Sequence, residues 1–124
     1  MDKQTILVVD DAPENIDLMV ALLKRDYIVK AATRGKVALK VAKLAQAPNI
    51  ILLDIIMPEM DGFEVCRQLK ADQDTASIPV IFISGQLGDK ERAQAKEVGG
   101  IACLSKPVPR QILLDTIEHA LSSQ

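Results

Sequence analysis

An excess of basic charge is missing from this chain: fifteen Lys and Arg face seventeen Asp and Glu, a net of -2 over 124 residues. That balance excludes the electrostatic footprint of a dedicated nucleic-acid binder. Long hydrophobic runs are missing as well, since a stretch such as Ile78 to Ile83 falls far short of the ~20 residues a membrane span requires. The opening Met1-Asp2-Lys3-Gln4 contains no signal-peptide apolar region, so a cytoplasmic setting is expected. Cysteine is scarce. Cys66 and Cys103 lie far apart, each within an apolar stretch, without the close pairing of a zinc or redox motif, and both read as small buried hydrophobes. Internal repeats, low-complexity tracts and linker-like segments are lacking. What is present, 48% apolar and 26% charged positions, fits one compact domain spanning residues 1–124. A chain of this length buries roughly two-thirds of the surface its unfolded form exposes and needs neither disulfides nor a structural metal to fold.

Short β-rich apolar runs alternate five times with longer stretches whose apolar residues recur at helical spacing. The strand candidates are Thr5 to Val9, Tyr27 to Ala32, Ile50 to Leu53, Val80 to Ile83 and Ile101 to Leu104. Three of them are continuous Ile, Leu, Val or Phe runs, the pattern of strands buried on both faces of a parallel sheet, so helices must cover both faces. The first helix should start at Pro13, with Asp11 as its N-cap, and carry Ile16, Met19, Val20 and Leu23 inward. The second spans about Lys36 to Ala47, where Lys36, Lys40 and Lys43 read as a solvated face. The third follows Asp61 and presents Phe63, Cys66 and Leu69, and the fifth presents Ile112, Leu113, Leu114, Ile117 and Leu121. The fourth, Asp89 to Val98, has almost no apolar stripe and should be the loosest, closed by Gly99-Gly100.

Ligands of open α/β sheets bind beyond the carboxyl ends of the strands. The residues there are Asp10 and Asp11 after the first strand, Asp54 after the third, Ser84 after the fourth and Ser105-Lys106-Pro107 after the fifth. Three carboxylates with one ammonium leave a formal excess of two negative charges. An uncompensated carboxylate pair at ~4 Å repels by roughly 4 kcal/mol at an effective dielectric of about 20. A divalent cation cancels that excess, and an all-oxygen set without His or Cys selects a hard ion such as Mg²⁺. Asp11 reads either as a helix cap or as a ligand, and Asp61, with Glu64 three residues on, reads as a cap. Asp54 interrupts two apolar runs, where a lone buried carboxylate is costly, and reads as functional. Lys106 reads as the counter-charge of the acids, and Ser84 equally as a loop hydroxyl or a site residue.

Four segments in order, Val8-Val9-Asp10-Asp11, Leu53-Asp54-Ile55-Ile56-Met57-Pro58 with Gly62 beyond, Ile83-Ser84-Gly85 and Ser105-Lys106-Pro107, make essentially the whole chain resemble the receiver domain of bacterial response regulators. The resemblance implies a CheY-like, flavodoxin-like (βα)5 α/β fold, a doubly wound parallel sheet of order 2-1-3-4-5. It implies that Asp54 accepts a phosphoryl group from a histidine kinase or phosphotransfer protein. Asp10, Asp11, Asp54 and the backbone carbonyl of Ile56 would hold Mg²⁺, with Asp10 acting partly through water. Lys106 and Ser84 would bind phosphoryl oxygens, Pro107 would follow a cis peptide bond, and Gly62 would relieve crowding. Such a domain is a switch that promotes its own phosphorylation and dephosphorylation, not a turnover enzyme. Its output is a shifted surface of helix four, strand five and helix five, acting on a partner or attached domain, with homodimerisation through that face as a family option.

The chain departs from the family pattern at Cys103, where an aromatic switch residue is common, and at Gly85, where Ala is more usual. Ile56 is apolar where a polar side chain could orient hydrolytic water, which predicts a slowly decaying phosphoryl group unless Gln86 takes that role. The alternative reading is a degenerate receiver that docks partners without phosphorylation. A flavodoxin lacks support because Asp-Asp-Ala-Pro replaces the phosphate loop after strand one, and an aspartyl phosphatase lacks its Asp-x-Asp pair. His119, the only histidine, reads as a surface residue of the last helix.

Overall fold

The computed structural model describes residues 3–122. In chain order its elements are β1 (Thr5–Val9), α1 (Pro13–Leu23), β2 (Ile28–Ala32), α2 (Gly35–Ala42), β3 (Ile50–Leu53), α3 (Gly62–Ala71), β4 (Val80–Ser84), α4 (Asp89–Glu97), β5 (Ala102–Ser105) and α5 (Arg110–Ser122). All strand pairs are parallel, in the order β2-β1-β3-β4-β5. The expected (βα)5 architecture and strand order are therefore both present.

Strand alternation divides the apolar residues into two cores. Leu7, Val9, Ile51, Leu53, Val80 and Phe82 face α2, α3 and the buried Ala95 of α4, with the Phe63 and Phe82 rings 5.5 Å apart. Ile6, Val8, Ile50, Leu52, Ile81 and Ile83 face the other way, onto Ile16, Met19 and Leu23 of α1 and Leu113 and Ile117 of α5. Burial on both faces is why β1, β3 and β4 read as unbroken apolar runs. The register pairs Val9 with both Ala32 and Leu53, so β1 and β3 end level and deliver their following aspartates side by side.

Several local expectations change. Ala12, not Asp11, occupies the N-cap of α1 and makes no side-chain cap bond. Instead Asp10 Oδ1 accepts the Ala12 N–H at 2.9 Å, so the acid one residue earlier braces the turn into the helix. β2 begins at Ile28 because the Tyr27 N–H still closes the end of α1 on Leu23 O. α2 stops at Ala42, well before Ala47, where Lys43 and Leu44 turn tightly onto Lys40 O and Val41 O. Lys36 and Lys40 are solvated as expected, while Lys43 pairs with Asp72 at 2.5 Å. Ile101 precedes β5 and is 52% exposed. Ile112 is 50% exposed, because the inward line of α5 runs through Leu113, Ile117 and Ala120 at helical spacing. Val20, Leu114 and Leu121 are only partly buried. Cys66 is buried, but Cys103 is only half-buried; both are free thiols.

α4 buries a single residue, Ala95. Its start is capped by Glu91, whose carboxylate accepts the Gly88 N–H at 2.8 Å, and its end turns through Gly99 at φ 104. With so little apolar anchorage, α4 is expected to have the fastest amide hydrogen exchange of the five helices, measured by mass spectrometry on the intact protein. Slower exchange in α4 than in α3 would contradict that ordering.

Candidate functional site

Strand polarity brings Asp10, Asp11, Asp54, Ser84 and Lys106 to one rim of the sheet, at the crevice where β1 connects outward to β2 on one side and β3 lies on the other. The ladder continues one residue past the strands: Asp10 N–H donates to Ala32 O at 3.1 Å and Asp54 N–H to Val9 O at 3.0 Å. Both carboxylates are thus fixed from their own backbones. Asp10 and Asp54 are buried, Asp54 with 8% exposure, while Asp11 points to the open side. One carboxylate oxygen from each of the three lies within 4.8 Å of the others.

Lys106 closes the cluster. Its Nζ lies 2.7 Å from Asp10 Oδ2 and 3.4 Å from Asp54 Oδ2, the counter-charge role read from the sequence. The peptide bond to Pro107 is cis, and the Lys106 N–H donates to Ser84 O at 2.9 Å. Ser84 is buried at the end of β4, opposite Ser105, and its Oγ accepts the Gln86 N–H at 3.2 Å. The remaining Asp54 oxygen, Oδ1, accepts the Ile55 N–H at 2.8 Å.

These contacts set the protonation states. Burial pushes the Asp54 carboxyl above its ordinary value; the Lys106 ammonium pulls it partly back, and the Asp10 charge adds to the rise. For Lys106, burial acts to lower the pKa but is outweighed by its hydrogen bond to Asp10 and the two carboxylate charges, so its net shift is upward and it stays protonated at neutral pH.

The loop from Asp54 to Asp61 is tightly specified. Gly62 N–H donates to Ile55 O at 2.7 Å, and a Cβ on Gly62 would lie 2.0 Å from the Asp54 carbonyl oxygen, so only glycine allows this approach. Glu59 takes a left-handed φ of 69 within the loop, and Asp61 caps α3 by accepting the Glu64 N–H at 2.9 Å, as expected. Ile56 is 56% exposed beside Asp54. His119 is exposed on α5, away from the rim residues in the chain.

One participant was not singled out from sequence. Asn15, in the first turn of α1, directs its amide Nδ2 at both oxygens of Asp10, 3.4 Å from Oδ1 and 3.3 Å from Oδ2. Its signal was the placement of Pro13 as first helical residue, which turns Asn15 back towards the end of β1.

The donor chemistry of this rim fits a hard divalent cation: three carboxylates converge, no His or Cys joins them, and one of the three faces solvent. Comparison with known proteins agrees with the geometry. Residues 6–118 match the model of the response regulator receiver domain. The chain belongs to this family. As a receiver it is a phosphoacceptor module of two-component signalling, a switch and not a member of a conventional enzyme family.

Among its relatives, a probable cyclic di-GMP phosphodiesterase of Vibrio cholerae is 42% identical over 97% of this chain, which spans only 27% of that protein. Protein PilH of Pseudomonas aeruginosa is 35% identical over 94% of the chain and 97% of its own length. Among solved structures, the receiver domain of the sensor histidine kinase PA1611 of Pseudomonas aeruginosa superposes with a TM-score of 0.89 at 26% identity. That match covers 98% of this chain and 99% of that one, and the solved structure has a magnesium ion coordinated in its active site cleft. Among the described residues of the present receiver, no helix is long and apolar enough to cross a membrane.

Two outcomes follow from the geometry. Because folding raises the Asp54 pKa, its ionised form subtracts from stability at neutral pH, and the penalty fades as pH falls through the folded value to the ordinary 3.8. Asp54→Asn should therefore be more stable than wild type at pH 7, by about 1 kcal/mol in urea titrations, with the gap closing in acid. Gly62→Ala should cost about 3 kcal/mol or more, since its Cβ meets backbone that cannot rotate away; a midpoint unchanged by this substitution would mean the loop is not constrained as described.

Proposed function

We propose that Asp54 is the phosphoacceptor of this receiver. An Asp54 oxygen attacks the phosphorus of a phosphohistidine on a histidine kinase or phosphotransfer protein; the new O–P bond forms as the N–P bond breaks, and the histidine nitrogen leaves with the electron pair. The observation that carries this reading is a single ammonium, that of Lys106, shared by two buried carboxylates at 2.7 and 3.4 Å. Such a site keeps an excess of negative charge, which supports a cation-assisted phosphoryl-transfer role.

Asp10, Asp11, Asp54 and the carbonyl of Ile56 are the groups that would hold Mg²⁺, which when bound supplies charge neutralisation for the phosphoryl oxygens. Lys106 binds one phosphoryl oxygen and relinquishes its contact with Asp54 as that residue is esterified. Ser84 already uses a lone pair to accept from Gln86, so its hydroxyl proton is available to donate to a second phosphoryl oxygen. That shift draws the segment after β4 inward and biases the surface of α4, β5 and α5 towards an output partner or domain, or towards a second copy of the chain. Cys103 is too small to act as a swinging aromatic, so the bias passes through the backbone between Ser84 and α4.

Labelling with acetyl phosphate or phosphoramidate tests the assignment. Wild type should gain one phosphoryl group in the presence of Mg²⁺ and none after chelation, while Asp54→Asn should gain none under either condition. Labelling of Asp54→Asn equal to wild type, or no labelling of wild type, would favour the phosphorylation-independent docking module. The apolar, half-exposed Ile56 offers hydrolytic water no orienting group, leaving that role to Gln86 if it is filled at all, so Ile56→Asn should shorten the phosphoryl lifetime; an unchanged decay rate refutes that part.

A further inference from the structure

We propose that Asn15 is a positioning residue of this site, holding the Asp10 carboxylate in the orientation in which it, rather than Asp54, takes the shorter contact with the Lys106 ammonium. This inference rests on the reading of Asp54 as phosphoacceptor for its purpose, though not for its geometry. Asp10 is the most heavily tied acid of the rim. Its Oδ1 accepts from Ala12 N–H at 2.9 Å, its Oδ2 receives the Lys106 ammonium at 2.7 Å, and the Asn15 amide straddles both oxygens at 3.4 and 3.3 Å.

Separate donors on the two oxygens, Ala12 N–H on Oδ1 and Lys106 on Oδ2, fix the plane of the carboxylate, and the Asn15 amide adds a further donor within reach of both, so that turning about Cβ–Cγ breaks contacts on each side. The consequence reaches Lys106. Two acids compete for its ammonium, and the shorter contact is to Asp10, the carboxylate with donors on both oxygens. Once Asp10 can turn, the ammonium gains freedom to move closer onto the Asp54 oxygen that it already touches at 3.4 Å, where it would cover the nucleophile more fully.

Asn15 can act this way because of where α1 begins. Pro13 opens the helix with an uncapped first turn, and Asn15 is half-buried there, sharing with Lys106 and Pro107 the wall of an apolar groove of about 270 Å³. No other described side chain except Lys106 donates to Asp10.

Asn15→Leu, which keeps the bulk and removes both donor and acceptor, and Asn15→Ala separate this role from packing. In protein freed of divalent metal, the ¹⁵Nζ signal of Lys106 and the carboxylate ¹³C signals of Asp10 and Asp54 should all move in both variants, with the thermal midpoint within a degree or two of wild type. In the labelling assay, the Mg²⁺ concentration for half-maximal incorporation should rise on the order of tenfold while the maximal extent is retained. Signals of Lys106 and Asp10 that coincide with wild type would overturn the proposal, as would a loss confined to stability. If wild type itself fails to label but the Lys106 signal still moves in Asn15→Leu, the phosphoacceptor reading falls and the positioning role stands.

Discussion

A lysine ammonium caught between two buried carboxylates holds this molecule's rim together, and the rest of the architecture serves to place it. Parallel strands send Asp10 and Asp54 out of the sheet side by side, and β5 returns Lys106 to the same edge. The pairing is incomplete by design of the charges: one cation cannot satisfy three acids, so the domain keeps an electrostatic debt at neutral pH that burial makes larger. Such a debt is tolerated in functional sites, where stability is exchanged for the capacity to react.

The tolerance comes from below the rim. Two separate apolar cores clamp the sheet from either side, and the strands that carry the acids, β1 and β3, lie in its interior with neighbours on both edges. Burying a large side chain contributes about 1.5–3 kcal/mol each, so a dozen fully buried Phe, Ile and Leu residues outweigh a repulsive cluster of three. The site therefore inherits rigid backbone positions without requiring its own side chains to be stabilising.

Much of this was legible in the sequence because the strands announce themselves. Runs such as Ile50 to Leu53 have no polar alternation, so their parallel, doubly covered setting follows, and the first polar residue after each run is automatically at the rim. Asp10, Asp54 and Ser84 follow from that rule, and Lys106 lies one residue beyond the position it gives, Ser105. Local boundaries were less legible where tertiary contacts decide them. Asp11 has the residue type of a cap, yet Asp10 braces the turn, because the ladder with Ala32 extends one residue past β1. Ile112 is apolar but faces outward, since the phase of α5 is set by where Pro109 accepts the Leu113 N–H. Asn15 escaped notice because an asparagine five positions after an acid carries no pattern until the helix start is fixed.

α4 is fastened unevenly. Its carboxyl end is secured by the Cys66 thiol on Val98 O at 3.3 Å, by Gly100 N–H on Ala95 O at 2.8 Å, and by a glycine pressed so close to the Phe82 ring that a Cβ would sit 2.6 Å from it. Its amino end, next to the segment leaving Ser84, is held by the Glu91 cap and by the partly buried Leu87 just before it. A rod pinned at one end and loose at the other does not slide; it pivots. A displacement beside the acids would therefore reach the helix at its less fastened end, opposite the tightly packed Gly99-Gly100 turn.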